Sequence, residues 1–240
     1  MKVCFIGAGS IGRRHIRNLS KLIPKQNLTI DLFRSGLGVS LDTETQKLIH
    51  KTFTNVSQMD ADYDIIFITN PTSLHLDTLL KFQNYANAFF IEKPLFNDTH
   101  LSPKDINLDE NKIYYVAAPM RYTSLFQFIN SHINFNQVYS IRCICSSYLP
   151  DWRPQIDYRQ SYSARKELGG GVSIDLIHEW DYITCLLGTV SYTHLDVYKR
   201  QLFWSMRKFI ILMGFSGILY QIKQYLITIK FLSISKMAWI

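Results

Sequence analysis

The stretch KVCFIGAGSIGRRHIRNLSKL, Lys2–Leu22, begins with apolar residues, continues through a glycine-rich turn and ends in a helical pattern. Three glycines of the turn form G-x-G-x-x-G. The first permits a tight turn, the second lets backbone approach a pyrophosphate, and the third lets helix and strand pack closely. The helix N-terminus offers N–H groups to the anion. In this strand-to-helix context the motif predicts a dinucleotide site rather than merely a tight turn. Its predicted cofactor contacts are Gly7, Gly9, Ser10, Ile11 and Gly12.

The second predicted strand, LTIDLFRS, covers Leu28–Ser35. An NAD site usually has an acidic residue at the end of this strand, where it binds the ribose 2′-hydroxyl. Here Arg34 and Ser35 occupy that end, and Asp31 lies earlier in the strand. Arginine and serine suit a 2′-phosphate, so we expect the cofactor to be NADP rather than NAD. The alternative is that Arg34 stacks on adenine or faces solvent.

A third apolar strand, Ile65–Thr69, ends at Asn70-Pro71-Thr72, and a helix follows. In a doubly wound sheet the ligand lies beyond the carboxyl ends of the strands. Asn70, Pro71 and Thr72 are therefore predicted to line the cofactor cleft. His75, in the first turn of the helix, is a further candidate contact, although a packing or capping role is the alternative.

A fourth strand, Ala88–Ile91, is followed directly by Glu92-Lys93-Pro94. A charged pair at this sheet edge indicates a site, and Glu92 and Lys93 are predicted cofactor contacts. A lysine beside a nicotinamide ring can bind a substrate hydroxyl or share in its proton transfer. A surface salt bridge at the strand end is the alternative.

Apolar strands alternate with helical stretches along the first half of the chain, and KIYYVAAPMRY closes this series near Pro119. Such alternation indicates a parallel sheet with helices on both faces. We therefore predict an α/β fold in which residues 1–119 form a doubly wound, dinucleotide-binding Rossmann domain.

Four stretches, taken in order, resemble a known family. They are GAGSIGRRH (7–15), TNPTSLH (69–75), EKP (92–94) and ELGGGVSIDLIHEWDYITCLLG (167–188). Their order and spacing are similar to those of the Gfo/Idh/MocA family of glucose–fructose oxidoreductase, inositol dehydrogenase and rhizopine-catabolism proteins, from Met1 to about Gly188. The resemblance implies that the Rossmann domain is followed by an α+β domain with an open, mostly antiparallel sheet. Residues 120–188 would be the start of that domain.

The resemblance further implies bound NAD or NADP and hydride transfer at a carbinol carbon of a sugar, cyclitol or related polyol. It also implies a homo-oligomer. The family's catalytic lysine maps onto Lys93, and its Asp and His map onto Asp175 and His178. Many members place the Asp and His four residues apart, whereas here they are three apart. Positions i and i+3 still share a helix face, but whether His178 or Glu179 faces the substrate stays open.

In the implied mechanism the nicotinamide exchanges a hydride with the substrate carbon. His178, with Lys93 nearby, takes the hydroxyl proton, and Asp175 positions the substrate or the imidazole. Asp181, one turn beyond His178, could orient it. His178 packed beneath the sheet is the alternative for this residue. A non-catalytic sensor of nucleotide or sugar is the alternative for the protein.

A polar loop rich in arginine and aromatic residues precedes the glycine triplet. Arginine forks suit phosphate or carboxylate, so the loop favours an anionic substrate such as a nucleotide-linked sugar or a sugar acid. An arm packed on a neighbouring subunit is the alternative. The candidate substrate residues are Arg121, Trp152, Arg153 and Arg159.

The formal net charge of +7 depends on the end of the chain. Seven of the 26 basic residues but only one of the 19 acidic residues follow Thr189. The preceding residues are nearly neutral, which argues against a nucleic-acid partner. Cys143 and Cys145 form C-x-C without a second ligand pair, so we predict no metal site. We expect a cytoplasmic protein, because Met1-Lys2 leads directly into a strand with no signal peptide.

Val190–Gln201 reads VSYTHLDVYKRQ, and the family resemblance stops just before it. With Thr189 read as ACT, these residues reverse-translate into an inverted repeat whose halves match a transposase-based sequencing adapter. We interpret residues 189–240 as adapter translation joined to an unrelated tail; a natural strand–turn–strand is the alternative. The longest uncharged run of the tail, Phe209–Ile222, is shorter than the roughly 18 residues that indicate a membrane span. On this interpretation the chain is truncated and could be inactive.

Overall fold

The computed structural model describes residues 1–36, 40–97, 106–138, 140–145, 148–152, 154–155, 157–175, 177–188, 194–196, 201–206, 209–212 and 226–230. Contacts divide the chain into two compact units. The first contains Met1–Ala117 and Tyr162–Asp175, and the second contains Ala118–Ser161 and Leu176–Ile240. The chain thus leaves the first unit after Ala117 and returns to it for residues 162–175, which we call the returning segment.

A six-stranded parallel sheet forms the centre of the first unit, in the spatial order β3-β2-β1-β4-β5-β6. The strands are β1 Lys2–Ile6, β2 Thr29–Phe33, β3 Lys51–Phe53, β4 Tyr63–Ile68, β5 Ala86–Ile91 and β6 Ile113–Val116. This order reverses direction between β1 and β4, as in the doubly wound Rossmann fold. The prediction of that fold is confirmed.

The helices of the two units, in chain order, are α1 Ser10–Leu22, α2 Thr43–Gln46, α3 His75–Phe82, α4 Ser124–His132, α5 Val172–Asp175 and α6 His178–Leu187. Among the described residues, none of the helices has the length and hydrophobicity that crossing a membrane would require.

Each face of the parallel sheet carries its own apolar core, which explains why the central strands are almost continuously hydrophobic. On β1, Val3 and Phe5 belong to one cluster, whereas Cys4 and Ile6 belong to the other. All four are less than 5% exposed. Ile16 of α1 packs into the first cluster. Because successive side chains of a strand point to opposite faces, β1 packs against an apolar cluster on each face of the sheet.

The second unit combines α4 and α6 with a five-stranded sheet in the order β11-β7-β10-β9-β8. Its strands are β7 Ser140–Ile144, β8 His194–Asp196, β9 Gln201–Met206, β10 Phe209–Leu212 and β11 Leu226–Lys230. β7 pairs in parallel with β10 and β11, and β9 pairs antiparallel with β8 and β10. β8 and the start of β9 lie within Val190–Gln201, whose origin in an adapter stays a prediction.

Candidate functional site

The turn between β1 and α1 leaves no room for a side chain at Gly7 or Gly12. Gly7 has φ +93°, and a Cβ there would lie 3.0 Å from the backbone of Asn70. A Cβ on Gly12 would lie 2.7 Å from both the Gly7 carbonyl oxygen and Thr69 Oγ1. The Thr69 hydroxyl donates to that same carbonyl at 2.8 Å. The start of α1 therefore packs directly against the turn that follows β4.

Gly9 has different surroundings, because a Cβ placed on it would meet no atom within 4 Å. It immediately precedes α1, and the first turn of a helix directs backbone N–H groups out of its end. Open space beside such a turn suits a pyrophosphate. Gly9 and the first residues of α1, Ser10 and Ile11, thus fit the dinucleotide that the motif predicts.

Two polar contacts hold Asn70 at the edge of this turn. Its side-chain amide donates to Thr78 Oγ1 at 2.7 Å, and its carbonyl oxygen lies 3.0 Å from His75 Nε2. Its Oδ1 is buried and has no hydrogen-bond partner among the described residues. Pro71 and the buried Thr72 follow. The residues predicted to line the cleft therefore lie together at the carboxyl end of β4.

His75 lies beneath this turn and is only 1% exposed. Its Nδ1 is 3.0 Å from the Pro94 carbonyl, and its Nε2 is 3.0 Å from the Asn70 carbonyl. Burial lowers the pKa of the imidazole and outweighs the opposing effects of the neighbouring backbone groups and of Glu92. These contacts favour a positioning role, because the ring joins the turn after β4 to the turn after β5.

The Glu92-Lys93-Pro94 turn is bonded to α1 through a residue that sequence reasoning did not single out, His15. Its Nε2 lies 2.6 Å from Glu92 Oε1, and the ring packs edge-to-face on Phe90. Glu92 is 8% exposed, and its Oε2 accepts from the Lys93 backbone N–H at 3.2 Å. The Lys93–Pro94 peptide bond is cis. His15 could have been identified from its position in the sequence, because it lies one helical turn after Gly12, the last glycine of the motif.

Lys93 and Asp175 are brought together by the returning segment. Lys93 Nζ donates to the Asp175 carbonyl at 2.7 Å and lies 3.3 Å from Asp175 Oδ1. The other carboxylate oxygen, Oδ2, is buried without a hydrogen-bond partner among the described residues. An ammonium group and a carboxylate thus lie side by side in the first unit.

The end of β2 carries a guanidinium rather than a carboxylate. Arg34 is half-buried and Ser35 is exposed. Asp31 is 1% exposed, accepts from the Tyr63 hydroxyl at 3.0 Å and lies 3.3 Å from His50 Nδ1. Its carboxylate is therefore engaged inside the structure, and the acidic residue typical of this strand end in an NAD site is absent from it.

Two arginines of α1 fasten the chain after β2. Arg13 donates to the Ala8 carbonyl at 2.9 Å and to the Ser40 carbonyl at 3.1 Å. Arg13 and Arg17 each lie 3.5 Å from Asp42 Oδ2. The glycine-rich turn and the segment that leads into α2 are therefore held on the same side of α1. Sequence reasoning missed this arrangement, since all of its parts are common surface residue types.

The second unit contains the remaining predicted residues. His178 is the first residue of α6 and is half-buried, whereas Asp175 is the last residue of α5, so the expectation that the two lie on one face of a single helix is wrong. Arg121 donates from Nε to Asp181 Oδ2 at 3.0 Å and also bonds the other carboxylate oxygen through Nη2. Asp181, the residue predicted to orient His178, is thus paired with Arg121.

The arginine-rich loop is only partly described. Trp152 is 40% exposed. Arg159 is an exposed side chain close to Asp157 and over the Tyr158 ring. Arg153 lies outside the described residues. Of the predicted substrate arginines, Arg121 is engaged with a carboxylate, and Arg159 projects toward solvent.

The cysteines of β7 and the residue after it lie against α6. Cys143 Sγ is 3.2 Å from the Tyr182 hydroxyl, and Cys145 interacts with the buried Glu179. Burial raises the pKa of both thiols to about 11. Metal ligation requires thiolates. Within the part of the chain that the structure describes, no group of His, Cys, Asp and Glu side chains could hold a metal ion.

Comparison with known proteins agrees with this fold. Residues 1–106 match the family model GFO_IDH_MocA, described as an oxidoreductase family with an NAD-binding Rossmann fold. The uncharacterized oxidoreductase YrbE of Bacillus subtilis (strain 168) is 24% identical over 189 residues, which cover 77% of this chain and 53% of YrbE. The chain therefore spans about half the length of this relative.

Two solved structures share the fold at low sequence identity. The WlbA dehydrogenase from Bordetella pertussis, in complex with NADH and UDP-GlcNAcA, has a TM-score of 0.64 and 16% identity, over 88% of this chain and 69% of that one. The myo-inositol 2-dehydrogenase from Lactobacillus plantarum has a TM-score of 0.64 and 20% identity, over 88% and 68% of the two chains.

The family model covers the sheet up to β5, the glycine-rich turn and the Glu92-Lys93-Pro94 turn. The strand order and the turns at the carboxyl ends of β1, β4 and β5 agree with it. Residues 1–106 of the chain are therefore similar to the GFO_IDH_MocA oxidoreductase family, whose model describes an NAD-binding Rossmann fold.

Proposed function

We propose that the protein is an NAD(P)-dependent oxidoreductase that acts on a carbinol carbon of a sugar, a cyclitol or a nucleotide-linked sugar. The observation that carries the proposal is the contact of Lys93 Nζ with Asp175, at 2.7 Å to the carbonyl and 3.3 Å to Oδ1. It lies on the same unit as the turn that fits a dinucleotide. A partly buried lysine–carboxylate pair can take part in proton transfer at such a site, since oxidation of an alcohol releases a proton as well as a hydride.

When bound, the nicotinamide supplies the hydride acceptor for oxidation or the hydride donor for reduction. The chain's own residues bind the cofactor, orient the substrate and move the proton. Gly9 and the start of α1 bind the pyrophosphate. Lys93 hydrogen-bonds the substrate hydroxyl and shares in its proton transfer, and Asp175 orients the lysine and accepts from a substrate hydroxyl at Oδ2. His178 is proposed to take the hydroxyl proton.

NADP is the proposed cofactor, because Arg34 and Ser35 stand at the end of β2 and the nearby carboxylate of Asp31 is engaged internally. The substrate is proposed to be an anionic sugar. Support comes from similar solved structures. The WlbA dehydrogenases from Bordetella pertussis and Thermus thermophilus were solved with UDP-GlcNAcA, and another similar structure is a UDP-N-acetylglucosamine 3-dehydrogenase, GnnA, from Acidithiobacillus ferrooxidans. A homo-oligomer, which the family resemblance implies, and a cytoplasmic location, which the start of the sequence predicts, are part of the same proposal.

Lys93→Ala tests the function. NADPH binding is measured by fluorescence titration, and turnover is measured on a panel of sugars, cyclitols and nucleotide sugars. Both measurements use the 240-residue chain and the protein encoded by the gene after its locus has been resequenced. We expect the variant to bind NADPH but to lose about 100-fold or more in turnover, as removal of a proton-transfer group does.

Lys21→Ala, which removes an exposed lysine from α1, is the matched control and should turn over normally. Unchanged turnover in Lys93→Ala would contradict the catalytic assignment. Lack of any NADPH or NADH binding by wild-type protein would contradict the proposed function as a whole.

A further inference from the structure

The hydroxyl of Tyr162 joins the returning segment to the turn after β4. Tyr162 Oη donates to the Gly169 carbonyl at 2.9 Å and lies 2.6 Å from Thr72 Oγ1. A phenol has one proton to donate. Because that proton goes to Gly169, the Thr72 hydroxyl is the donor in the shorter bond. One oxygen thus connects the start of the segment, its glycine triplet and the predicted cofactor turn.

Gly169 allows this approach. Its φ is +88°, and a Cβ on it would lie 2.8 Å from the Cβ of Thr72. Gly170 likewise has no room for a side chain, since a Cβ there would lie 2.0 Å from the Tyr162 carbonyl oxygen. The two glycines therefore let the returning segment lie directly on Thr72 while it folds back on its own beginning.

The returning segment is also bonded internally, so displacement at one end is transmitted to the other. Gly170 N donates to the Arg165 carbonyl at 3.0 Å, and Gly171 N donates to the Ser163 carbonyl at 3.0 Å. Asp175 N donates to the Gly171 carbonyl at 2.8 Å. The carboxylate that contacts Lys93 thus ends a hydrogen-bonded segment whose beginning is held by Tyr162.

We propose that Tyr162 is a positioning residue, which fixes the returning segment on Thr72 and thereby sets Asp175 against Lys93. The part of the inference that concerns ligand rests on the proposed function. Thr72 belongs to the turn predicted to bind the cofactor, so cofactor binding and the order of the returning segment are coupled through the Tyr162–Thr72 hydrogen bond. Burial raises the pKa of Tyr162, which favours the protonated phenol that donates to the Gly169 carbonyl.

Tyr162→Phe in the full chain is the test, with limited trypsin digestion followed by mass spectrometry. Arg165 and Lys166 are exposed and lie within the returning segment, whereas the exposed Arg159 lies outside it. Cleavage of a transiently opened segment follows the population of the open form. Loss of the hydroxyl should raise the rate of cleavage after Arg165 and Lys166 about five-fold, as expected for a hydrogen bond. The rate after Arg159 should stay unchanged.

Tyr148→Phe is the matched control, because Tyr148 is 70% exposed, and it should leave all of these rates as in wild type. Thr72→Val provides a second route to the same bond. If the two residues act through one contact, the double variant is cleaved no faster than the faster single variant. Unchanged cleavage in Tyr162→Phe, or additive effects in the double variant, would overturn the proposal.

NADPH gives a readout that a simple packing role would not move. In wild type, saturating NADPH should slow cleavage after Arg165 and Lys166. In Tyr162→Phe it should still bind, but the protection should fall by at least half. Full protection in the variant overturns the coupling. If NADPH binds neither protein, the proposed function fails, and the cleavage rates without cofactor still decide whether Tyr162 positions the segment.

Discussion

Gly9 and Gly12 are three residues apart in one turn, yet their surroundings predict opposite effects of an alanine. Gly9→Ala adds a methyl group where no atom lies within 4 Å, at φ −65°. It should keep the stability of the protein or raise it slightly, since alanine reduces the freedom of the unfolded chain. Because the methyl group would occupy the space proposed for the pyrophosphate, NADPH affinity should fall about 10-fold or more.

Gly12→Ala places its methyl group 2.7 Å from two oxygen atoms, one of them a backbone carbonyl. Such overpacking typically costs about 1–3 kcal/mol, so we expect a lower free energy of unfolding in urea. Urea unfolding and NADPH binding should therefore be measured for both Gly9→Ala and Gly12→Ala. Equal stability of the two variants would contradict the packing described for α1.

The predicted preference for NADP over NAD depends on a single residue, Arg34. Arg34→Asp replaces a group that attracts a 2′-phosphate with one that repels it and suits a ribose hydroxyl. The ratio of NADPH to NADH dissociation constants should shift toward NADH by about 10-fold or more, which corresponds to about 1.4 kcal/mol. Arg159→Asp, at an exposed arginine of the second unit, is the control. A ratio that does not change would assign Arg34 to adenine stacking or to solvent.

At the scale of elements, α3 begins at a histidine that is buried between two turns. Burial lowers the pKa of His75 in the folded protein, so the unfolded chain binds its proton more readily. The stabilising contribution is present in full above the ordinary pKa of about 6.5. It decreases as the pH falls from there through the folded-state pKa. The titration of His75 should thus lower the free energy of unfolding by up to about 1.4 kcal/mol for each unit by which the pH decreases in this range.

His75→Gln removes the titrating group and should flatten that part of the stability–pH curve, measured by urea unfolding between pH 7.5 and 5. His132 on α4 is exposed, so His132→Gln should leave the slope as in wild type. An identical slope in His75→Gln and wild type would argue against the lowered pKa.

The elements of the first unit could be predicted because their signals are local. Apolar runs such as Val3–Ile6 and Ile65–Ile68 read as buried strands, and the glycine spacing identifies the turn before α1. The strand order then follows from the doubly wound pattern. Lys93 and Asp175 were both singled out, although their contact depends on a segment that follows Lys93 far along the chain.

The contacts of His15 and Tyr162 could not be predicted, because each joins residues distant in sequence. His15 meets Glu92 across 77 positions, and Tyr162 meets Thr72 across 90. Nothing in the residue types near Tyr162 distinguishes it from Tyr148 or Tyr158. The sequence also did not indicate that the last part of the polar loop belongs to the first unit.

At the scale of the whole molecule, the described residues proposed to bind cofactor all belong to the first unit. A chain that ends at Gly188 should therefore bind NADPH within about two-fold of the 240-residue chain. β8–β11 would be lost from the second unit. Fluorescence titration of both chains checks this, and a large loss of affinity would show that residues 189–240 support the first unit. Resequencing the locus tests the adapter interpretation directly.

The discontinuity of the first unit has a consequence for biosynthesis. Residues 1–117 leave the ribosome well before Tyr162, and domains commonly begin to fold as they emerge. The nascent chain can pair β1–β6 while Lys93 still lacks its carboxylate partner. Residues 118–161 must be made and their ends brought together, at the entropic cost of closing a loop, before Asp175 arrives. The contact between Lys93 and Asp175 is thus expected to form late in translation, after residues 1–117 have been made.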